Sequence, residues 1–390
     1  MSRPGNAPHA SARYVPWVTD EESLTDMVWA NAERFGATIG FRRRLGGSWV
    51  DVTTREFATQ VLELAKGLIA AGLRPGDRIA LLSGPRYEWS LFEFACWSVG
   101  CVTVPIAATA TPAEAEWILS DSGACGVVVE TPEHRETVRR VVDRLPEIVW
   151  VWQLDGGVAG SGDLAEDVPA AVPELTALGT QIYDDRAHER RLSVRTEDIA
   201  TVAYPDGDHP KRSELTHGDL LAAVRATIGA HPALLRSGNS LLVLLAPADL
   251  PTRVVTLACV YTRTTLGLVP DADDLFTDLG VFRPRVIVAD AELLGRFHDA
   301  ARSKAYAEGN MAVFDTAESV AVSYGAAGDR APLALRLKHV VASKVVYPKL
   351  RASFGGRCVA AFTSGEPLDI SRVNFYRGIG IEVHELTAPV

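Results

Sequence analysis

Short, fully apolar segments alternate with longer amphipathic segments along the first half of the chain, and this alternation constrains the fold more than any other feature. Residues 78–83 and 126–130 each form a short apolar run, while residues 54–71 carry apolar side chains at helical spacing. Strands that are apolar on both faces belong to parallel sheets that helices cover on both sides. Because crossovers between parallel strands are right-handed, the pattern predicts an α/β fold with a doubly wound sheet.

A second series of the same kind begins near Asp198. Its strands are predicted at residues 200–204, 240–245, 265–268, 285–288, 357–363 and 382–385. Residues 155–196 between the two series contain much Gly, Ala, Pro and Asp, which is typical of a connector. The pattern divides the chain into a disordered lead-in (1–20), a first α/β subdomain (21–154), the connector (155–196) and a second α/β subdomain (197–390).

The composition is that of a globular protein with an excess of acidic residues. Hydrophobic residues make up 47% of the chain, charged residues make up 23%, and the formal net charge is −10. This charge argues against nucleic acid or an anionic membrane surface as a partner. The one basic run, Arg42-Arg43-Arg44, is predicted to face solvent from a strand.

The localisation prediction rests on the cysteines and on the lack of a membrane-spanning run. No apolar run reaches the length that spans a bilayer, and the N-terminus lacks the apolar core of a signal peptide. The cysteines occur in apolar contexts, which predicts reduced core residues of a cytoplasmic protein. They are Cys96, Cys101, Cys125, Cys259 and Cys358.

Residues 199–220 contain a distinctive order of elements. A predicted strand ends at Tyr204, a loop and Pro210-Lys211 follow, and Glu214-Leu-Thr-His217 opens a helix that Thr216 caps. Five further segments of the sequence are also distinctive: Trp29-Ala-Asn-Ala-Glu-Arg-Phe35, Ser48-Trp-Val-Asp-Val52, Trp117-Ile-Leu-Ser-Asp-Ser-Gly123, Lys349-Leu-Arg-Ala-Ser-Phe-Gly-Gly-Arg357 and Asn374-Phe-Tyr-Arg-Gly-Ile-Gly380. Together they resemble the long-chain fatty-acyl-CoA synthetase branch of the adenylate-forming (AMP-binding) superfamily. The resemblance implies two stacked flavodoxin-like subdomains, a fatty acyl substrate, and the use of ATP and Mg²⁺.

The loop after Tyr204 departs from that family, in which it is rich in Ser, Thr and Gly. Here it reads Pro205-Asp206-Gly207-Asp208-His209. A triphosphate needs backbone N–H donors and hydroxyls, and Pro205 removes one such donor. A carboxylate about 5 Å from a phosphate charge costs roughly 3 kcal/mol at an effective dielectric of about 20. Lys211 matches the loop lysine of the family but cannot offset two carboxylates, so residues 205–208 and Lys211 are predicted to form a degenerate nucleotide-binding loop.

The same loop has a second interpretation, as a site for a divalent cation. Asp206, Asp208 and His209 would supply hard oxygen ligands and one imidazole. Asp pairs in turns are usually solvated turn formers, and we favour that interpretation.

Residues 245–253 contain a second departure from the family. The resemblance places a histidine and an aromatic residue beside the acyl carboxylate, where this chain has Asp249 and Pro251. An aspartate that faces a substrate carboxylate makes an unfavourable like-charge contact, so these two residues form a degenerate acyl site. Asp249 is also predicted to cap a helix that begins near Thr252.

A third departure follows the last predicted strand. The family continues with Glu-Gly-Tyr-Gly-Leu-Thr-Glu-Thr, whereas this chain reads Glu385-Leu-Thr387-Ala388. The Gly-Tyr-Gly step is missing, and Ala388 stands where the resemblance implies a carboxylate ligand of Mg²⁺. Part of an adenine-binding strand end remains in the degenerate nucleotide-binding set, which is Ser364, Gly365, Glu366 and Thr387. The family's C-terminal lid is not matched, which leaves truncation of the chain as a further interpretation.

These departures predict an acyl-CoA-synthetase-like protein that is catalytically inactive and has a binding, regulatory or partner-subunit role. No catalytic residue, metal ligand or cofactor is expected in that case, and His217 is predicted to be structural. The alternative is an AMP-forming, ATP-dependent long-chain fatty acid–CoA ligase with residual activity or a lid supplied by another chain, which would use ATP and Mg²⁺. The expected partners are a fatty acyl ligand, a second copy or an active relative, without nucleic acid and without a transmembrane segment.

Overall fold

The structure, a computed structural model, describes residues 19–159, 166–204, 212–269 and 275–387. In these residues the α-helices are α1 Asp26–Phe35, α2 Thr54–Ala70, α3 Tyr87–Ser98, α4 Pro112–Ser122, α5 Pro132–Arg139, α6 Ala171–Gly179, α7 Asp184–Ser193, α8 His217–Ala230, α9 Leu250–Thr262, α10 Leu275–Phe282, α11 Ala291–Ala307, α12 Met311–Ala327, α13 Leu333–Val345, α14 Tyr347–Ala352 and α15 Ile370–Gly378. The strands are β1 Ile39–Leu45, β2 Ser48–Thr53, β3 Arg78–Leu82, β4 Val102–Ile106, β5 Gly126–Val129, β6 Trp150–Gln153, β7 Gly157–Ala159, β8 Glu166–Val168, β9 Ile199–Ala203, β10 Ser213–Thr216, β11 Ser240–Val243, β12 Thr265–Leu268, β13 Val286–Val288, β14 Ala360–Thr363 and β15 Glu382–Glu385. Residues 1–18 of the predicted lead-in lie outside the described residues.

The first large sheet has the strand order β10-β9-β4-β3-β5-β6. Its strands pair in parallel except β10, which runs antiparallel to β9 at the edge. Every residue of β4 and β5 is buried, as expected for strands that helices cover on both faces. The predicted α/β class and the doubly wound parallel sheet are thereby confirmed for this part of the chain.

The second large sheet has the order β15-β14-β13-β11-β12-β1-β2. It is parallel from β15 to β1, and only β2 is antiparallel to its neighbour. Its central strands are short and apolar, and Val286, Ile287 and Val288 of β13 are all fully buried. Two parallel-dominated sheets with helices packed on them therefore form the architecture.

Strand pairing crosses the predicted subdomain boundaries. The hairpin β1–β2 belongs to the segment 21–154 but joins the second sheet, where Phe41 pairs with Leu266. Strand β9 belongs to the segment 197–390 but joins the first sheet beside β4, where Thr201 pairs with Thr103. Hydrophobic periodicity identifies a strand without identifying its partner, so the sequence boundaries and the sheets do not coincide. The division into two folding units stays a prediction.

The predicted connector at 155–196 contains two packed helices. Helix α6 lies so close to α2 that a Cβ atom on Gly67 would be 2.2 Å from the carbonyl oxygen of Leu175. Helix α7 is held by Arg190, whose Nη1 donates to the carbonyl oxygen of Leu73 at 2.6 Å. Gly179 of α6, one of the small residues that resemble a linker in sequence, allows this packing, because a Cβ atom on it would lie 2.6 Å from the backbone nitrogen of Gly67. The segment therefore contains packed helices, and its role as a connector stays a prediction.

The basic run on β1 does not simply face solvent, in contrast to the prediction. Arg42 pairs with Asp51 at the surface, with 2.8 Å between Nε and Oδ1. Arg43 lies over the ring of Tyr87 and donates to Glu88 at 3.0 Å. Arg44 forms an ion pair with the buried Asp278 of α10. Because β1 lies inside the second sheet, all three arginines reach partners in other elements, Arg42 on the paired strand β2 and the other two on helices.

The cysteines agree with their prediction as core residues. None forms a disulfide, four are buried, and Cys125 is half-buried. Burial raises the pKa of each thiol, to about 11 for Cys125. In the described part of the chain, none of the helices combines the length and the hydropathy needed to cross a bilayer.

Candidate functional site

The predicted phosphate loop lies between β9 and β10, at the edge of the first sheet. Pro205, Asp206, Gly207, Asp208 and Lys211, as well as His209, fall outside the described residues, so the prediction for them is untested. The strand that enters the loop ends at Tyr204, whose hydroxyl donates to Oδ2 of Asp121 at 2.7 Å. Its ring stands edge-on to Trp117 at 5.1 Å. Burial and the bond to Asp121 raise the pKa of Tyr204, so it is a neutral anchor at the loop entrance.

Two arginines beside β10 already have a carboxylate partner. Arg212, where the described chain resumes, forms an ion pair with Glu214 on β10. Its Nη1 also donates to the carbonyl oxygen of Asp121 at 3.1 Å. Arg78 lies 3.9 Å from the same Glu214 carboxylate. The charges of these arginines are therefore partly offset before any anion approaches.

The helix after the loop begins as predicted. Thr216 and Asp219 form a reciprocal capping box at the N-terminus of α8. His217 is buried, its Nδ1 accepts a hydrogen bond from the backbone N–H of Leu24 at 3.3 Å, and its ring packs edge-on against Trp97. Burial lowers the pKa of His217 to about 4. These contacts join α8 to the N-terminal segment and favour the structural role predicted for this histidine.

Asp249 and Pro251 lie at the start of α9, beyond the carboxyl end of β11. Asp249 is the N-cap residue, and its Oδ2 accepts a hydrogen bond from the backbone N–H of Thr252 at 2.9 Å. Pro251 occupies the first turn, where a missing N–H costs no hydrogen bond. The predicted capping role of Asp249 is confirmed, with the helix beginning at Leu250. The Asp249 carboxylate therefore accepts a hydrogen bond from the first turn of α9. No contact of this residue tests the degenerate acyl site, which stays a prediction.

Replacing Asp249 by alanine should destabilise the protein by about 1 kcal/mol, because the first turn of α9 loses its side-chain acceptor. Asp249→Ser removes the carboxylate but keeps an acceptor, and it should cost a few tenths of a kcal/mol. Urea unfolding followed by circular dichroism measures both changes. Equal stability of the alanine and wild-type proteins would contradict the capping role.

Sequence reasoning missed a buried charge network on α9. Arg253 and Glu93 of α3 form an ion pair in which both side chains are 1% exposed. The guanidinium also donates to the hydroxyls of Thr201 at 2.7 Å and Thr103 at 2.6 Å. The sequence does contain one indication of a buried ion pair: Arg253 is the one charged residue in the otherwise uncharged helix α9. This network links a helix of the second sheet to strands β4 and β9 of the first.

The remaining predicted nucleotide-site residues meet at the carboxyl ends of β14 and β15. These strands pair through Thr363 and Glu385, and the N–H of Leu386 donates to the carbonyl oxygen of Thr363 at 2.7 Å. Ser364 is buried, whereas Gly365, Glu366 and Thr387 are exposed. The structure thus brings Ser364, Gly365, Glu366 and Thr387 to one edge of the sheet. Asp249 follows β11 at the same edge, with β13 between that strand and β14.

Two histidines adjoin this edge and were not singled out in the sequence. The rings of His231 and His384 have centroids 4.9 Å apart, and each packs against Phe362 of β14. Burial lowers the pKa of both, and the neighbouring imidazole adds to the effect on His231. They therefore contribute neutral rings, rather than positive charge, to the edge where the resemblance implies a nucleotide.

The donors at this edge do not fit an Mg²⁺–triphosphate centre. The predicted site residues supply two hydroxyls, from Ser364 and Thr387, and one exposed carboxylate, from Glu366. Among the residues that the structure describes, no group of three or more His, Cys, Asp and Glu side chains could hold a metal ion. The sequence places alanine where the family carboxylate is expected, so no chemical step through Mg²⁺ is derived for these residues.

A cleft of about 480 Å³ lies elsewhere, at the carboxyl ends of strands in the first sheet. Strand β4 is added on one side of β3 and β5 on the other, and ligands of open α/β sheets commonly bind at such a topological switch point. Arg86 occupies this cleft and pairs with Glu88, Glu130 and Asp155 at distances of 2.8 to 3.4 Å. Its positive charge is balanced within the cleft, which leaves little attraction for an anion.

Comparison with known proteins agrees with the geometry. Residues 28–387 match the family model described as AMP-binding enzyme. The chain is 34% identical over 372 residues to the long-chain-fatty-acid–CoA ligase FadD15 of Mycobacterium bovis, which covers 94% of this chain and 60% of that protein. A feruloyl-CoA synthase of an Amycolatopsis species is 35% identical over 173 residues, 43% of this chain and 29% of that enzyme.

Solved structures show the same fold. The N-terminal domain of FACL13 from Mycobacterium tuberculosis superposes with a TM-score of 0.65 and 17% identity, over 93% of this chain and 75% of that one. A long-chain-fatty-acid–CoA ligase, FadD1 of Archaeoglobus fulgidus, gives 0.67 and 15%, over 95% and 64%. The chain spans 60% of the length of the FadD15 ligase that it matches. Because the family model covers nearly all of it, this chain belongs to the AMP-binding enzyme family and is an acyl-CoA-ligase-like protein.

Proposed function

We propose that this protein is a non-catalytic member of its family, which binds an acyl ligand or a protein partner without forming an acyl adenylate. The family's use of ATP and Mg²⁺ would then not extend to this chain. A fatty acyl ligand, a second copy or an active relative would be its partner. The proposal concerns residues 28–387, the part that matches the family model.

One observation carries the proposal: the sequence of the phosphate loop contains two carboxylates, and the arginines beside β10 already have a carboxylate partner. Asp206 and Asp208 lie in the sequence between Tyr204 and Lys211. Arg212 forms an ion pair with Glu214, and Arg78 lies close to the same carboxylate. In the sequence, Lys211 is one positive charge beside two carboxylates, whereas a triphosphate carries several negative charges. Two repulsive contacts of roughly 3 kcal/mol each would offset most of a micromolar affinity of about 8 kcal/mol.

The acyl side of the predicted site supports the same proposal. The Asp249 carboxylate accepts the Thr252 N–H at 2.9 Å and is fixed at the start of α9. A carboxylate held in this position repels the carboxylate of a fatty acid, whereas a histidine could attract it. The two charged substrate groups of the adenylation reaction are the triphosphate of ATP and the carboxylate of the fatty acid. Each of them would therefore face a negatively charged side chain.

A ligase remains the second candidate because the FadD15 relative is 34% identical over 94% of this chain. That relative is a long-chain-fatty-acid–CoA ligase, and 60% of its length is matched here. An active protein would bind ATP–Mg²⁺ saturably and would exchange pyrophosphate in the presence of a fatty acid. Nucleotide binding therefore separates the two candidates.

Isothermal titration calorimetry with ATP–Mg²⁺ is expected to show no saturable binding up to millimolar nucleotide. The double variant Asp206→Ser/Asp208→Ser should bind at least tenfold more tightly, because two like-charge contacts are removed. Asp184→Ser/Asp185→Ser removes the same charge from the exposed start of α7 and should behave as the wild type. Saturable wild-type binding at micromolar ATP, or fatty-acid-dependent pyrophosphate exchange, would refute the proposal and favour the ligase.

A further inference from the structure

Helix α13 presents an apolar face to solvent rather than to the core. Its exposed side chains are Leu333 (78% exposed), Leu337 (66%), Val340 (49%), Val341 (62%) and Val345 (62%). At about 100° of rotation per residue, these five positions share a sector of about 140°. An apolar stripe of this length is unusual on a protein surface and marks an interaction site.

The opposite face of α13 is the one that packs on the protein. His339 stacks on Tyr324 of α12 with ring centroids 3.6 Å apart, and its Nε2 donates to the carbonyl oxygen of Gly378 at 2.7 Å. Ala342 on the same face is buried. Because these contacts fix the rotation of the helix, the stripe from Leu333 to Val345 points away from the molecule.

The charged side chains of α13 itself are all positive. Arg336 and Lys338 lie about 100° to either side of Leu337, and Lys344 lies within the stripe. No Asp or Glu occurs between Asp329 and Glu366, whereas seven Lys and Arg residues do. This local excess contrasts with the net charge of −10 and reverses, for this surface, the expectation that the chain avoids anionic membranes.

We propose that α13 is an interfacial helix that docks the protein on a lipid surface with anionic headgroups. An apolar face flanked by basic side chains is the arrangement of helices that lie in the plane of a membrane. The stems of Lys338 and Lys344 can lie along the apolar face with their ammonium groups at the headgroups, and Arg336, whose guanidinium donates to the carbonyl oxygens of Ala331 and Asp329, adds positive charge near the start of the helix. Each basic side chain near such a surface strengthens binding.

The charge pattern disfavours a second copy of the chain as the occupant. A two-fold contact through α13 would place Arg336, Lys338 and Lys344 of both copies at one interface, with no carboxylate of α13 or α14 to balance them. An anionic lipid surface supplies the opposite charge together with an apolar layer. Lipid binding through α13 requires neither a nucleotide nor an acyl ligand, so its test is independent of the proposed function.

Vesicle sedimentation at low ionic strength tests the inference. The full chain is expected to bind vesicles of equal parts phosphatidylglycerol and phosphatidylcholine at least tenfold more strongly than vesicles of phosphatidylcholine alone. Leu337→Asp/Val341→Asp should weaken that binding at least tenfold, and Arg336→Gln/Lys338→Gln should remove most of the preference for the anionic lipid. Leu192→Asp, at a 61% exposed position on α7, is the matched control and should bind as the wild type.

The substituted side chains are exposed, so each variant should keep the wild-type circular dichroism spectrum and unfolding midpoint. Sedimentation velocity without lipid should give one unchanged oligomeric state for all proteins. Equal vesicle binding by wild type and Leu337→Asp/Val341→Asp would overturn the proposal, as would no binding of the wild type to anionic vesicles. A dimer that Leu337→Asp/Val341→Asp converts to monomer would overturn it in favour of a second copy.

Discussion

Replacing Arg253 by methionine is expected to lower the free energy of unfolding by about 3–5 kcal/mol, because it leaves a buried carboxylate without its partner. Glu93 and Arg253 are both 1% exposed, so water cannot replace the lost contact. Burial raises the pKa of Glu93, and the Arg253 charge opposes that rise. Without the arginine, the carboxyl must take up a proton or remain as an unpaired buried charge, and either state costs stability.

The loss extends beyond the ion pair. The guanidinium donates to hydroxyls on β4 and β9 and lies 5.6 Å from the ring centroid of Trp97. A methionine fills a similar volume but donates no hydrogen bond, so the change separates charge from packing. Since Arg253 follows β11 and its hydroxyl partners belong to the first sheet, the substitution weakens the junction between the two sheets.

Urea unfolding monitored by circular dichroism at pH 7 measures this effect. Arg139→Met is the matched control, because Arg139 pairs with Glu136 on the exposed surface of α5. Surface ion pairs contribute about 0–1 kcal/mol, so this control should remain near wild type. The double variant Glu93→Leu/Arg253→Met removes both charges and should recover most of the loss. A cost below about 1 kcal/mol for Arg253→Met would show that the pair does not support the fold.

Features that depend on local spacing were predictable from the sequence. The capping boxes at Thr111 and Thr216 each need a partner three residues later, and both are present. Short apolar strands such as β5 were recognised because neither of their faces carries polar residues. The cap at Asp249 was predicted for the same local reason.

Features that depend on distant partners were not predictable in this way. Strand β1 pairs with β12 through Phe41 and Leu266, and Glu93 meets Arg253 across a sequence separation of 160 residues. Periodicity reports which residues of a segment share a face, and it contains no information on what that face meets. This is why the sequence alone does not show that the first hairpin pairs with strands of the second sheet.

Helix α13 shows the same limit for a single element. Its apolar residues fall on two faces, one with Ala342 against the protein and one with Leu337 and Val341 towards solvent. The spacing of apolar residues alone does not tell which of these two faces is covered. Only the packing of His339 on Tyr324 distinguishes them.

Acidification from pH 6.5 to pH 4 is expected to destabilise the protein by about 3 kcal/mol through His217 alone. Burial lowers the pKa of this histidine to about 4 in the folded state, against about 6.5 in the unfolded chain. Above pH 6.5 the imidazole is neutral in both states and contributes no pH dependence. Below pH 6.5 the unfolded chain binds a proton that the folded protein excludes, so stability falls by about 1.4 kcal/mol per pH unit until the folded pKa is reached.

His217→Gln separates this effect from the other titrating groups. A glutamine oxygen can accept the Leu24 N–H that Nδ1 accepts at 3.3 Å, and it does not titrate. Urea unfolding of both proteins at pH 7, 6, 5 and 4.5 measures the free energy of unfolding. The values for the two proteins should converge as the pH falls, because the wild type loses stability faster. Parallel profiles of wild type and His217→Gln would mean that the imidazole binds its proton as readily in the folded protein as in the unfolded chain, in contradiction to its burial against Trp97.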